Sequence, residues 1–284
     1  MHTLWTLIRG RHWIKNAFVL SPAFFAARWS AVTDLGLWLL VLAFCSAASS
    51  VYIFNDWMDR EADRQHPRKR YRPLASGAVA PRRAALVLGF LLFLTAVLAY
   101  QLPRSAPYLG AYLLLNLAYS LQLTHWPLFD VSCIALGFLL RILAGGAEVD
   151  IPISNWMITV VFLLSVSLAW AKRRNDALLR SSTESPAGVW RYTVATGIGF
   201  GLTLLAYLLY CIDPATVARL GSDRIYYTAF FVFLGLVRYL QLIFVDAHSG
   251  DPTVILWKDR FLQLVLLAWM LAFASLIYGN ARTQ

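Results

Sequence analysis

Polar residues punctuate this chain at long intervals, and the apolar runs between them are of the length that crosses a bilayer, roughly 17 to 23 residues. The pattern predicts nine such spans, at 16–33, 35–55, 84–102, 106–122, 127–146, 153–171, 191–211, 225–245 and 260–279. Pro22 and Arg28 interrupt the first. With nine spans the loops near 56–83, 122–127, 172–190 and 246–259 fall on the same side as the N-terminus. Of the 25 basic residues, 18 lie on that side, whereas the other holds Arg28, Arg104, Arg219, Arg224 and Arg282. By the positive-inside rule the basic side is cytoplasmic. The expected fold is therefore all-α and polytopic: one domain over 1–284, a bundle in the cell (inner) membrane around a central cavity open to the cytoplasm.

Composition agrees. Hydrophobic residues make up 59% and charged residues 14%, with a mean hydropathy of +0.59, which excludes an ordinary soluble domain. No cleavable signal peptide is evident, and Trp5–Trp13 reads as an interfacial segment with aromatic anchors. Cys45, Cys133 and Cys211 stand singly in apolar runs, without metal-ligand spacing. The net charge of +10 sits in juxtamembrane loops, where topology, anionic lipid and anionic substrate account for it without nucleic acid.

Candidate chemistry concentrates where the second span ends. Asn55-Asp56-Trp57-Met58-Asp59-Arg60-Glu61-Ala62-Asp63 is followed by the basic tract Arg64 to Arg72. On a continuous helix with Asp56 at zero, Asp59 falls at about −60°, Asp63 at about −20° and Asn55 at about −100°, so all four face one space. Carboxylates that close repel unless a cation lies between them, and their hard oxygens suit Mg²⁺ carrying a phosphorylated substrate. A solvated juxtamembrane charge run is the plainer reading.

Further charged positions gather on the same face. Lys172-Arg173-Arg174-Asn175-Asp176 closes the sixth span, with Lys172 and Asp176 on one helical face. Asp251, Lys258 and Arg260 lie in a third loop, and Lys15-Asn16 opens the first span. Arg141 and Arg238 fall inside apolar runs, where a guanidinium costs a few kcal/mol or more unless it meets a partner or a polar cavity. Substrate contact and a structural ion pair both account for them, and Asp130 has the same two readings. No Ser-His-Asp order, HExxH motif, P-loop or dinucleotide fingerprint is present. The pattern points to a diphosphate held by metal and basic residues, beside an acceptor with a hydrocarbon tail.

Asn-Asp-x-x-Asp-x-x-x-Asp at 55–63 resembles the first signature of the UbiA superfamily of intramembrane prenyltransferases. Trp13-Ile14-Lys15-Asn16, Asp63-Arg64-x-His66-Pro67-x-Lys69-Arg70-x-Arg72-Pro73, Tyr119-Ser120-Leu121, Arg141 to Gly146, Lys172-Arg173, Asp251-Pro252-Thr253 and Asp259-Arg260 are similar to its decaprenyl-phosphate phosphoribosyltransferase branch. The resemblance runs from about residue 12 to 263. It implies transfer of 5-phosphoribose from phosphoribosyl diphosphate to a polyprenyl phosphate, releasing diphosphate and giving a precursor of the lipid-linked arabinose donor for cell-wall polysaccharide.

The resemblance also implies residue roles. Asn55, Asp56, Asp59 and Asp63 would hold Mg²⁺ and the diphosphate. Lys15, Lys69, Arg70 and Arg72 would contact phosphates, and Arg141, Asp251, Lys258 and Arg260 are further substrate-binding candidates from their own charge and position. Lys172, Arg173 and Asp176 would form a second signature, with Asp176 among the catalytic carboxylates. There the branch has Lys-Arg-Tyr-Ala-Glu, so Arg174 and Asp176 are departures. Two other readings use the same features: a polyprenyl diphosphate transferase acting on an aromatic or other small acceptor, and an anionic-lipid transporter. The partners expected are the two substrates and the bilayer, and a homo-oligomer is compatible with all three readings.

Overall fold

A central helix built from small residues organises the N-terminal part of the chain. The structure, a computed structural model, describes residues 2–67, 69–121, 127–179, 186–244 and 252–281. In chain order the helices are α1 (His2–Leu7), α2 (Ser21–Phe25), α3 (Trp29–Val32), α4 (Leu35–Met58), α5 (Arg60–Gln65), α6 (Pro81–Gln101), α7 (Ala106–Leu121), α8 (Pro127–Glu148), α9 (Asn155–Leu179), α10 (Pro186–Ile212), α11 (Pro214–Leu220), α12 (Ala229–Phe244), α13 (Pro252–Lys258) and α14 (Arg260–Ala281). Short 3₁₀ segments occupy Gly10–Leu20, Lys69–Tyr71 and Ile225–Thr228. No strand occurs among the described residues.

Seven helices are long and apolar enough to cross a membrane: Leu35–Met58, Pro81–Gln101, Asp130–Glu148, Asn155–Leu178, Ala187–Ile212, Ile225–Phe244 and Arg260–Ile277. The chain is an integral, multi-pass membrane protein. The expected span at 106–122 corresponds to α7, which has 16 residues; residue 122 lies outside the described residues. The expected first span, 16–33, is not one continuous helix. It is the end of a 3₁₀ segment followed by two short helices. Pro22 restarts the chain at the beginning of α2, and Ala27 adopts a left-handed φ of 54°. Proline supplies no N–H, and a non-glycine residue at positive φ cannot continue a right-handed helix, so apolar content alone overstated this segment.

Cα packing divides the chain into two compact units, Met1–Cys133 with Leu140–Pro152, and Ile134–Leu139 with Ile153–Gln284. In the first, α4 presents Ala43, Cys45, Ser46, Ala47, Ala48, Ser49 and Ser50, all buried. Small residues let neighbouring backbones approach closely where lipid offers no hydrophobic contrast. The Ser46 and Thr95 hydroxyls share a hydrogen bond of 2.8 Å between α4 and α6. The outer face of α6 exposes Leu86, Phe90, Phe93, Val97 and Tyr100, a stripe at alternating three- and four-residue spacing suited to lipid.

Gly145 of α8 has a stricter requirement. A Cβ there would lie 2.1 Å from the backbone oxygen of Val19, at the end of the long 3₁₀ segment. No side-chain rotation relieves a clash with a carbonyl. Gly145→Ala should therefore push the two elements apart and lower the melting temperature in detergent by on the order of 5 °C. Unchanged thermal unfolding would contradict this packing.

In the second unit α9 packs along α10, where Gly199 sits against Ser167 closely enough that a Cβ would lie 2.3 Å from its Oγ. Phe200, Tyr239, Leu242, Ile243 and Ile255 form a buried cluster with Ala171. The intramembrane Arg238 is explained here: its Nη2 donates to Asp259 Oδ2 at 2.7 Å. Asp259 Oδ1 also accepts from the Leu262 backbone N–H at 2.7 Å, which caps α14.

Candidate active site

Two hydrophobic anchors bring basic residues back to the acidic end of α4. Leu7 of α1 and Leu74 after the basic tract are buried in one cluster with Ile53, Val79, Ala84 and Leu91. Arg9 follows the first anchor by two residues and Arg72 precedes the second by two, so both guanidiniums reach the same turn of α4. Arg9 has a left-handed backbone, φ 49° and ψ 47°, which turns the chain sharply between α1 and the 3₁₀ segment.

The charges meet at two buried carboxylates. Asp56 and Asp63 are 1% and 2% exposed. Arg9 Nη2 donates to Asp56 Oδ1 at 2.5 Å, and the Arg9 guanidinium lies 4.6 Å from the centre of the Tyr52 ring. Arg72 Nη1 bridges the pair, 3.2 Å from Asp56 Oδ1 and 2.7 Å from Asp63 Oδ2. Lys69 Nζ stands 3.9 Å from Asp63 Oδ1. Asn55 Oδ1 accepts a hydrogen bond from the Ser120 hydroxyl of α7.

Helical phasing placed Asp59 with this group, and the backbone explains why it stands apart. The helix α4 ends at Met58, Asp59 caps it with φ −84° and ψ 0°, and α5 starts afresh at Arg60. The turn carries Asp63 inward and leaves Asp59 exposed. Among the described residues the Asp59 side chain makes no hydrogen bond or ion pair, and no three His, Cys, Asp or Glu residues cluster as a metal site. Asp56 and Asp63 nevertheless converge on a single guanidinium nitrogen. That donor set, two buried carboxylates around one cationic atom, fits a divalent ion.

The other expected site residues divide clearly. Lys15 is half-buried on the 3₁₀ segment, whereas Lys69 and Arg70 are exposed, and Arg70 donates to the Tyr71 hydroxyl at 2.8 Å. Arg141 is buried: its Nε donates to Asn16 Oδ1 at 2.8 Å and its Nη2 to the Tyr112 hydroxyl at 3.1 Å. These contacts account for an intramembrane guanidinium without a substrate. Asn16, 0% exposed, donates in turn to Cys45 Sγ at 3.0 Å. Asp130 accepts from the Tyr119 hydroxyl. In the second unit Lys172 is exposed while Arg173 and Asp176 are half-buried. Arg174 donates to Thr193 Oγ1 at 3.0 Å and lies 4.4 Å from the Phe244 ring centre. Lys258 and Arg260 are exposed, and Asp251 lies outside the described residues.

Sequence reasoning named Asn16 and the Tyr119-Ser120-Leu121 motif but passed over Arg9 as a partner of the site. The signal available for Arg9 was its place next to a buried leucine; nothing in its spacing from Asp56, 47 residues away, pointed to contact.

The chain matches the model of the UbiA prenyltransferase family over residues 17–265. It is 33% identical to decaprenyl-phosphate phosphoribosyltransferase of Mycolicibacterium smegmatis, over 95% of this chain and 91% of that one. It is 28% identical to the Corynebacterium glutamicum protein of the same name, over 95% and 85%. Among solved structures, a UbiA homologue from Archaeoglobus fulgidus bound to GPP and Mg²⁺ shares the fold with a TM-score of 0.71, at 17% identity, over 96% of this chain and 99% of that one. An acidic helix end within a multi-pass helical fold, a family model spanning most of the sequence and full-length relatives agree: the chain is a transferase that belongs to the UbiA prenyltransferase family.

Proposed function

We propose that the protein transfers 5-phosphoribose from 5-phosphoribosyl 1-diphosphate to a polyprenyl phosphate, decaprenyl phosphate in the relatives' case, with Mg²⁺ and release of diphosphate. The observation that carries this reading is the pair of buried carboxylates, Asp56 and Asp63, sharing Arg72 and flanked by Arg9 and Lys69. Full-length relatives named for this reaction support it, as does a fold neighbour holding Mg²⁺ with a prenyl diphosphate. Mg²⁺ bound to Asp56 and Asp63, with Asn55 and the exposed Asp59 completing the set, would offset charge on the departing diphosphate.

The chain's own residues do the rest. Arg72 and Lys69 neutralise diphosphate oxygens and hold the donor so that its anomeric C–O bond faces the lipid phosphate. That bond breaks with oxocarbenium character, and an oxygen of the lipid phosphate attacks from the opposite face, inverting the anomeric carbon. The phosphate monoester is anionic at neutral pH, so no strong general base is needed. Lys15 and Arg70 serve the phosphates. Lys172, Arg173 and Asp176 keep the roles that the family resemblance implies, Asp251, Lys258 and Arg260 remain substrate-binding candidates, and Arg174 stands where the branch has tyrosine. The excess of basic residues on one side supports a cytoplasmic face for this chemistry, at the inner membrane.

Purified protein given phosphoribosyl diphosphate, decaprenyl phosphate and Mg²⁺ should yield a lipid heavier by one phosphoribosyl group in mass spectrometry, with stoichiometric diphosphate. Polyprenyl diphosphate with an aromatic acceptor should give nothing. Prenylation of the acceptor, with no phosphoribosyl lipid, would reverse the assignment.

A further inference from the structure

We propose that Arg9 is a gating residue of the reaction centre, holding the Asp56 carboxylate until donor and metal arrive and then passing to the incoming diphosphate. The inference rests on the transferase reading above. Asp56 Oδ1 is contacted by Arg9 Nη2 at 2.5 Å and by Arg72 Nη1 at 3.2 Å. A divalent ion bonded to that same oxygen would stand within a few ångström of both guanidiniums, where like charges repel. Arg72 retains an alternative partner in Asp63, at 2.7 Å. The Asp56 contact is the ion pair found for Arg9, whose guanidinium also lies 4.6 Å from the Tyr52 ring centre, at the border of the site. A planar fork in that position is suited to two oxygens of a phosphate.

Its mobility is also built in. The Arg9 side chain is 23% exposed, against 2% for Asp56, so the cation can rotate toward solvent and the carboxylate cannot. The backbone on either side is fixed: Leu7 is fully buried, and Ser49 Oγ donates to the Ile8 carbonyl at 2.8 Å while accepting from Trp13 Nε1 at 3.0 Å. Movement is thus confined to the side chain. Without Arg9 the apo site should take metal more readily but hold the diphosphate less well, two effects of opposite sign that a purely structural residue would not produce.

The test uses Mn²⁺ as the probe, followed by electron paramagnetic resonance on full-length protein in detergent, first without and then with phosphoribosyl diphosphate. Arg9→Gln should bind Mn²⁺ alone about tenfold more tightly than the wild type, matching the loss of one charge-assisted contact. The same variant should bind phosphoribosyl diphosphate about tenfold more weakly in the presence of metal. Arg9→Lys keeps the charge but not the fork, and should leave Mn²⁺ affinity near wild type while weakening donor binding. It also serves as the measurable variant where Arg9→Gln does not fold. Equal Mn²⁺ and donor affinities in wild type and variants would overturn the role of Arg9 and leave the transferase reading standing. Absence of Mn²⁺ binding by the wild type even with donor present would overturn both.

Discussion

Asp56→Asn should reduce phosphoribosyl transfer by at least about a thousandfold, at the upper end of what one preorganised electrostatic contact contributes to a transition state. Asparagine keeps the shape of the side chain, so Arg9 still finds an acceptor oxygen, but the negative charge that balances Arg9, Arg72 and a bound cation is gone. Both guanidiniums are about a quarter exposed, so water softens the loss, and the cost to folding should stay at roughly 1–3 kcal/mol. Asp59→Ala should also abolish transfer if Asp59 joins the metal once donor is bound, yet with no change in melting temperature, because its exposed side chain supports nothing in the ligand-free fold. Initial rates with labelled sugar donor and thermal unfolding in the same detergent separate the two carboxylates. Wild-type turnover in Asp56→Asn would remove the site from the reaction altogether.

The contrast between these aspartates shows where sequence reasoning reached and where it stopped. Three aspartates and an asparagine at the end of an apolar run announced the site, because buried negative charge next to a membrane is too costly to be idle. Their mutual geometry was not legible, since it depends on a helix ending at Met58 and restarting at Arg60. A period of 3.6 residues holds only while the helix is unbroken, and Asp59 falls at the break. The basic loop was legible as a partner by its composition; Arg9 was not, because its approach to Asp56 is imposed by the burial of Leu7, a tertiary event. The spans that passed from sequence to structure are those with uninterrupted apolar runs, such as α4 and α6. The segment 16–33 failed as a single helix where Pro22 and Ala27 redirect the backbone.

Arg141→Ala should act on stability before it acts on binding. The guanidinium donates to Asn16 Oδ1 and to the Tyr112 hydroxyl, and it lies 4.5 Å from the Tyr112 ring centre and 5.4 Å from that of Phe44. Removing it takes the donor from the buried Asn16 and Tyr112 oxygens, and leaves a void where a large side chain stood. Each loss costs about 1–3 kcal/mol, so the ligand-free protein should melt about 10 °C lower. Arg141→Lys should recover part of that, since an ammonium reaches one acceptor but cannot stack as a plane. Transfer should fall too, through the 3₁₀ segment: Asn16, which Arg141 holds, adjoins Lys15, and the same segment begins beside Arg9. A substrate ligand would behave in the opposite way, with an unchanged melting temperature and a raised KM for the donor or the lipid phosphate. Melting curves without ligand, set against KM for each substrate, therefore decide between a residue that pins the N-terminal segment onto α8 and one that grips a phosphate.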